Sequence, residues 1–127
     1  MMKRVLTTVD IGRQGEQLAI TFLKRQGYRI VARNYRKSFG EVDIIAQQKN
    51  TLVFVEVKTR QSTRFGTPFE AVDCRKQRQL SRIAQDYLQS HNSADVSARF
   101  DVIAVRLDRD GGLVGIDHLQ NAFECIE

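Results

Sequence analysis

Two apolar runs that lie close together in the chain constrain the fold more than any other feature. EVDIIA (Glu41–Ala46) and TLVFVEVKTR (Thr51–Arg60) have the composition of β-strands, and only Gln47–Asn50 separates them. Because a connection this short joins neighbouring antiparallel strands, the two runs are predicted to form a hairpin within a sheet. Both runs also contain charged residues, which a buried strand excludes unless the charges have partners or reach solvent.

Further elements are predicted on both sides of this hairpin. Apolar residues recur at helical spacing from about Asp10 to Gln26, with Asp10 as the expected N-cap and Gly27 as the stop signal. The order αβββαββ predicts one α/β domain over residues 1–127, with a central mixed five-stranded sheet flanked by helices. Residues 1–9 are expected to be a flexible tail. The remaining predicted elements are a strand over Tyr28–Arg36, a helix over Asp73–Ser90, strands over Arg99–Leu107 and Leu113–Leu119, and a helical turn after Asn121.

Charge is distributed unevenly along the 127 residues, whose net charge is +5. Residues 1–82 carry 17 Lys and Arg against 7 Asp and Glu, whereas residues 83–127 carry 3 against 8. A basic front half favours a polyanionic partner such as nucleic acid, although a solubilising surface has the same composition. No apolar run is long enough to span a membrane, and no signal peptide is recognised, so a cytoplasmic protein without a membrane partner is expected. Cys74 and Cys125 match no metal-binding or redox spacing.

The charged residues of the hairpin form the candidate site. Glu56 and Lys58 alternate with valines and therefore share one strand face, and the antiparallel register brings Asp43 of the preceding strand beside Glu56. Two adjacent carboxylates repel unless a cation lies between them, and Mg²⁺ or Mn²⁺ with oxygen ligands would meet that need. A lysine beside such an ion could orient water or stabilise phosphate charge, which suits phosphodiester hydrolysis. The alternative is a Glu56–Lys58 ion pair that only fixes the strand register.

The motifs of the chain resemble a known family. GxxxE at Gly12–Glu16, RNYR at Arg33–Arg36, GEVD at Gly40–Asp43, FVEVKTR at Phe54–Arg60 and RFDV at Arg99–Val102 occur in the order found in the bacterial UPF0102 proteins. The D…ExK core also resembles the restriction-endonuclease-like nuclease superfamily, which includes archaeal Holliday-junction resolvases. The resemblance implies a divalent metal bound by Asp43 and Glu56, with Lys58 as the catalytic lysine. It further implies that Glu16, on the first helix, joins the site as a catalytic and metal-binding residue.

Basic residues near this core are the candidate nucleic-acid contacts. Few aromatics accompany them, so we expect contacts to the phosphate backbone rather than base stacking. The candidates are Arg60, Lys76, Arg75, Arg36, Arg33 and Arg64. Glu41 is expected in a turn or salt bridge, Asp101 as the partner of an arginine, and His91 and His118 as incidental.

Taken together, these features predict a metal-dependent endonuclease acting on structured or branched DNA. The alternative is a nucleic-acid-binding module or adaptor that keeps the fold and turns over slowly or not at all. A third possibility is that the charged strand face is purely structural. A homodimer would suit symmetric DNA junctions, but no residue pattern indicates one.

Overall fold

The computed structural model describes residues 6–61, 72–91 and 95–124. Its elements follow the order αβββαββ, so the predicted fold class is confirmed. The sheet has five strands in the spatial order β1-β2-β3-β4-β5, and only the β3–β4 pair is parallel. The elements are α1 (Thr8–Arg25), β1 (Arg29–Lys37), β2 (Gly40–Gln48), β3 (Thr51–Arg60), α2 (Cys74–Ser90), β4 (Ser97–Leu107) and β5 (Leu113–Phe123).

The two helices cover opposite faces of the sheet. Val53 and Val55 of β3 pack with buried residues of α1, whereas Phe54 packs with Leu80 and Ile83 of α2. Alternation of side chains along β3 therefore places Glu56 and Lys58 on one face, as the sequence predicts, and that face is the one covered by α2. The central strands are buried on both faces, which explains why their sequences read as nearly continuous apolar runs.

The start of α1 differs from the prediction. Thr7, rather than Asp10, is the N-cap, and its hydroxyl accepts a hydrogen bond from the backbone N–H of Asp10 at 3.1 Å. The Asp10 carboxylate accepts in return from the backbone N–H of Thr7, so the two residues form a reciprocal capping box. Residues 8 and 9 of the expected tail are therefore helical, and residues 1–5 lie outside the described residues.

The predicted helical turn after Asn121 is wrong for the residues that the structure describes, because β5 continues to Phe123. Asn121 has φ of 52°, a conformation that asparagine tolerates better than most residues, and it marks an irregularity in the ladder with β4. Beyond it, the Phe123 ring stacks on Phe100 with centroids 4.7 Å apart. Burial of this aromatic pair favours the extended strand over a helical end. Residues 125–127, including Cys125, are outside the described residues.

A buried polar cluster connects β4 to β5 beneath α1. Asp101 is only 1% exposed and receives hydrogen bonds from Arg99 at 2.9 and 3.0 Å. It also contacts the Nε2 atom of His118 at 2.7 Å and accepts from the backbone N–H of Asn121 at 3.0 Å. Burial alone would raise the pKa of Asp101, but the hydrogen bonds from His118, Arg99 and Asn121 outweigh it and lower the pKa. The expected arginine partner is confirmed, whereas the interpretation of His118 as incidental is wrong.

None of the helices in the described ranges combines the length and the apolar character that crossing a bilayer requires.

Candidate active site

Asp43 lies where the ladder between β2 and β3 ends. The ladder pairs Ile44 with Val55 as its last position, which would bring residue 43 next to Glu56. At that point a carboxylate oxygen of Asp43 accepts a hydrogen bond from the backbone N–H of Val57 at 2.7 Å. The Asp43 carboxylate thus takes the place of the strand carbonyl that would otherwise accept this hydrogen bond. The contact holds the carboxylate between the two strands. The predicted neighbourhood of Asp43 and Glu56 is confirmed.

Glu56 is a buried carboxylate at the same seam, with 6% of its surface exposed. Its Oε2 atom lies 3.3 Å from the Nζ atom of Lys76 but receives no hydrogen bond of good geometry. Burial, followed by the adjacent Asp43 carboxylate, raises the pKa of Glu56 to about 8, although the positive charges of Lys76 and Lys58 act against the shift. Without a cation, the protonated form of Glu56 is therefore favoured at neutral pH.

Lys76 occupies a place in this site that sequence reasoning missed. The sequence predicted a surface contact to nucleic acid, but the structure pairs Lys76 with Glu56 and with the Oε1 atom of Gln79 at 3.1 Å. A lysine in the first turn of a helix opposes the helix dipole at a cost of about 0.3–1 kcal/mol. The Glu56 carboxylate beneath the first turn of α2 supplies the compensation. The unfavourable position of a lysine at a helix start is thus a sequence signal that Lys76 has an anionic partner, although it does not identify Glu56.

Glu16 approaches the site from α1 on the other face of the sheet. Its carboxylate accepts a hydrogen bond from the side-chain amide of Asn34 at 2.8 Å. Partial burial, followed by the negative charge of Asp43, raises the pKa of Glu16, while the Asn34 hydrogen bond and Arg33 act in the opposite direction. Glu16 and Asp43 line a common cavity of about 220 Å³. The electrostatic effect and the shared cavity both place Glu16 near Asp43.

Close contact between α1 and β3 fixes this arrangement. Gly15 is buried against Thr59, and a Cβ atom at position 15 would lie 1.9 Å from the Thr59 hydroxyl oxygen. The helix can therefore lie directly on the strand, one residue before Glu16. Even so, across residues 6–61, 72–91 and 95–124 no three His, Cys, Asp or Glu side chains converge closely enough to form a metal cluster. Asp43 and Glu56 are thus a pair, with Glu16 beside Asp43 rather than within the pair.

Lys58 follows Glu56 on the same face of β3 and is half-buried. Its positive charge is near enough to act on the Glu56 carboxylate. Among the residues that the structure describes, the Lys58 ammonium has no hydrogen-bond acceptor or ion-pair partner, in contrast to Lys76. Lys58 therefore has an ammonium that is available to another ligand.

Two clefts near the carboxylate pair carry basic side chains. The larger, of about 930 Å³, is lined by three arginines and three acids, namely Arg13, Arg33, Arg36, Glu16, Glu41 and Asp43. The smaller, of about 550 Å³, is lined by basic residues that include Arg36, Lys37 and Lys76. We call these the α1 cleft and the α2 groove. Both are concave, and the α2 groove has more basic than acidic side chains, as binding of a phosphate backbone requires, whereas the arginines and acids of the α1 cleft are equal in number.

The other basic residues predicted to contact nucleic acid do not all line the two clefts. Arg36 lies in both clefts, where it forms an ion pair of 2.7 Å with Glu41, so the expected salt-bridge role of Glu41 is confirmed. Arg60 and Arg75 are exposed, and the Arg60 guanidinium donates to the Thr59 carbonyl. Arg64 is outside the described residues. Sequence reasoning missed Arg13 and Asn34, which line the α1 cleft.

Comparisons with known proteins identify the family. The family model described as uncharacterised protein family UPF0102 matches residues 15–105. The chain belongs to the UPF0102 family. A UPF0102 protein of Caldicellulosiruptor saccharolyticus is 46% identical over 90% of this chain and 97% of its own length. A UPF0102 protein of Alkaliphilus oremlandii is 51% identical over 89% of this chain and 97% of its own length. Family membership therefore extends over nearly the whole domain.

Among solved structures, Pyrococcus furiosus SfsA in complex with Ca²⁺ is similar to this UPF0102 chain with a TM-score of 0.41 and 18% sequence identity. The match covers 88% of this chain and 64% of the SfsA chain, so this chain spans just under two thirds of that protein's length.

Proposed function

We propose that this UPF0102 protein is a metal-dependent endonuclease that hydrolyses phosphodiester bonds in structured or branched DNA. The observation that carries the proposal is the pairing of Asp43 with Glu56 where the β2–β3 ladder ends, with Lys58 next on the same strand face. A structural ion pair would need only one of these carboxylates. Two carboxylates, an ammonium that has no partner among the described residues, and clefts that carry arginines and lysines form a set of groups suited to phosphate chemistry.

The residues present fit a divalent cation. Asp43 and Glu56 supply hard oxygen ligands, and the Glu56 Oε2 atom is buried without a hydrogen-bond donor of good geometry. A buried acceptor of this kind costs free energy unless something satisfies it. We therefore propose that Asp43 and Glu56 hold Mg²⁺ or Mn²⁺, with Glu16 beside Asp43 adding negative charge from the α1 side. When bound, the ion would supply positive charge at the phosphate and acidify a water molecule.

The protein's own groups have distinct roles in this proposal. The Val57 N–H holds the Asp43 carboxylate in place, and the Asn34 amide does the same for Glu16. The Lys58 ammonium orients the attacking water or neutralises charge that develops on the phosphate. Arginines of the α1 cleft bind neighbouring phosphates, so recognition depends on the shape of the nucleic acid rather than on base edges.

A nucleic-acid-binding module without turnover is the second candidate. One observation favours it: the Lys76 ammonium lies 3.3 Å from Glu56, so an ionised Glu56 can be neutralised without a metal ion. Such a protein would use the same clefts but would not cleave what it binds.

Cleavage assays distinguish the two candidates. The purified protein is incubated with four-way, flapped, nicked and linear DNA and with RNA, in Mn²⁺, in Mg²⁺ or in EDTA. Lys58→Met is compared with Lys24→Met, which removes the same charge from an exposed position at the end of α1. We expect cleavage in metal that Lys58→Met reduces by about 10²-fold or more and Lys24→Met leaves unchanged. Retardation of DNA without cleavage by the wild-type protein would instead support the binding module.

A further inference from the structure

The ion pair between Lys76 and Glu56 joins a helix to the candidate metal site. The Lys76 side chain reaches the site from the first turn of α2, where the Asp73 carboxylate caps the helix by accepting from the Lys76 backbone N–H at 2.9 Å. The ammonium contacts Glu56 at 3.3 Å and Gln79 at 3.1 Å. The cap by Asp73 holds the backbone at the start of α2 in place. The contact with Glu56, in contrast, is made by the flexible side chain of Lys76.

The position of this ammonium conflicts with a cation held by the same carboxylate. Two positive charges that share one buried carboxylate repel, so full neutralisation by one disfavours the other. Lys76 can leave, because 27% of its side chain is exposed and it lines the α2 groove. Lysine is a compact charge on a four-carbon stem and can turn towards a new partner without movement of the helix.

The α2 groove offers a place for that partner. Lys37 and Arg36 also line it, so an anion would meet several positive charges there. The Lys37 ammonium contacts Asp86 at 3.4 Å and Arg36 contacts Glu41, and both pairs are at least partly exposed to solvent. Solvent-exposed pairs such as Arg36–Glu41 contribute little to stability, so a nucleic-acid phosphate can compete for Arg36 at low cost. Release of Lys37 costs more, because the Asp86 oxygen that it contacts is buried.

We propose that Lys76 is a displaceable counter-ion that couples metal binding to nucleic-acid binding. Lys76 contacts Glu56 in the metal-free protein and is its counter-ion when the carboxyl is ionised; it releases Glu56 and turns to a phosphate in the α2 groove when the carboxylates hold a divalent cation. This inference rests on the proposed function, because it requires the metal site at Asp43 and Glu56. By thermodynamic linkage, DNA then tightens metal binding by the same factor as metal tightens DNA binding.

The first test measures Mn²⁺ binding by the free protein, from the electron paramagnetic resonance signal of unbound Mn²⁺. Lys76→Met is compared with wild type and with Arg78→Met. Arg78 is exposed two residues further along α2, and residues two apart do not share a helix face, so the control removes one charge away from Glu56. We expect Lys76→Met to bind Mn²⁺ about fivefold more tightly or better, at the lower end of usual coupling between sites, and Arg78→Met to match wild type.

The second test measures the affinity for a four-way DNA junction at fixed ionic strength, by gel retardation in EDTA and in Mn²⁺ at low temperature. In EDTA, Glu56 holds Lys76, so Lys76→Met should bind the junction as wild type does. In Mn²⁺, the released ammonium contributes, so Lys76→Met should bind about fivefold more weakly than wild type. Denaturing gels check that the junction remains uncleaved during the measurement.

The outcomes separate this inference from the proposed function. If wild type binds Mn²⁺, Asp43→Asn abolishes that binding and Lys76→Met changes neither affinity, the counter-ion role is refuted and the metal site stands. If neither wild type nor Lys76→Met binds Mn²⁺, both proposals fail. Mn²⁺ binding by Lys76→Met alone would support the counter-ion role. Lys76→Gln, which keeps a hydrogen-bond donor without the charge, repeats the test should Lys76→Met fail to fold by circular dichroism.

Discussion

Replacement of Glu56 by glutamine should stabilise the metal-free protein, increasingly so as the pH rises. The folded state raises the pKa of Glu56 from 4.5 to about 8, mainly through burial. Between these values the unfolded chain releases the proton while the folded protein keeps it. The stability that Glu56 contributes is therefore fully present below pH 4.5 and is lost as the pH rises through about 8. Glutamine has nearly the same shape and never ionises, so it avoids this loss.

The size of the effect follows from the size of the shift. A rise of the pKa from 4.5 to about 8 corresponds to a ceiling of about 5 kcal/mol at alkaline pH. Relaxation and water penetration reduce the cost of a buried charge, so a measured gain of about 2–4 kcal/mol is expected. Near pH 5 the two proteins should have almost equal free energies of unfolding, and the difference should level off above about pH 8.

Urea unfolding in EDTA, at intervals from pH 5 to pH 9, measures this difference. Comparison of variant and wild type at each pH cancels the titration of groups elsewhere in the protein. Lys76→Met serves as a matched control, since removal of the neighbouring positive charge should extend the pH-dependent loss to higher pH. The double variant Glu56→Gln/Lys76→Met should lose this dependence. A gain from Glu56→Gln that is the same at pH 5 and pH 9 would refute the reasoning.

Two further predictions concern the scaffold. Gly15→Ala should destabilise the protein by about 1–3 kcal/mol in urea unfolding, because its methyl group would overlap Thr59. The additional change Thr59→Ala should recover part of that loss. If Gly15→Ala is as stable as wild type, the contact is contradicted. Asp101→Ala should cost about 3–5 kcal/mol by leaving Arg99 without its buried partner. Since the pKa of Asp101 is lowered on folding, its contribution is present above pH 3.8 and lost as the pH falls through the lower folded value. The free energy of unfolding of Asp101→Asn should therefore fall less steeply than that of wild type as the pH is lowered below 3.8.

The elements and the carboxylate pair could be predicted because their signals are local. Thr51–Arg60 was predicted with the bounds that the structure shows, since an apolar run bounded by polar turns defines a buried strand. The short connection before it fixed the register that joins Asp43 to Glu56. The helix start at Thr7 was missed, because Asp10 was taken as the N-cap, although Thr-x-x-Asp can signal a capping box.

The partners of these residues could not be predicted in the same way, because they depend on tertiary docking. Lys76 meets Glu56 only when α2 packs on the sheet, and the chain between them gives no measure of that distance. The contact of His118 with Asp101 depends on an irregular register between β4 and β5. A register shift of this kind arises from tertiary packing. The alternation of polar and apolar residues in the sequence therefore did not indicate it.

The single parallel strand pair has a consequence for the order in which the protein folds. Strands β1, β2 and β3 form two successive hairpins, whose closure brings together residues near in the chain. The β3–β4 pair joins residues about 46 positions apart, so its closure carries a larger loss of chain entropy and is expected to come later. During synthesis the segment with Asp43 and Glu56 is also complete before Lys76 leaves the ribosome. Asp43 and Glu56 would then come together before Lys76 can contact them. At that stage uptake of a proton by Glu56 is favoured, because the positive charge of Lys76 is not yet present.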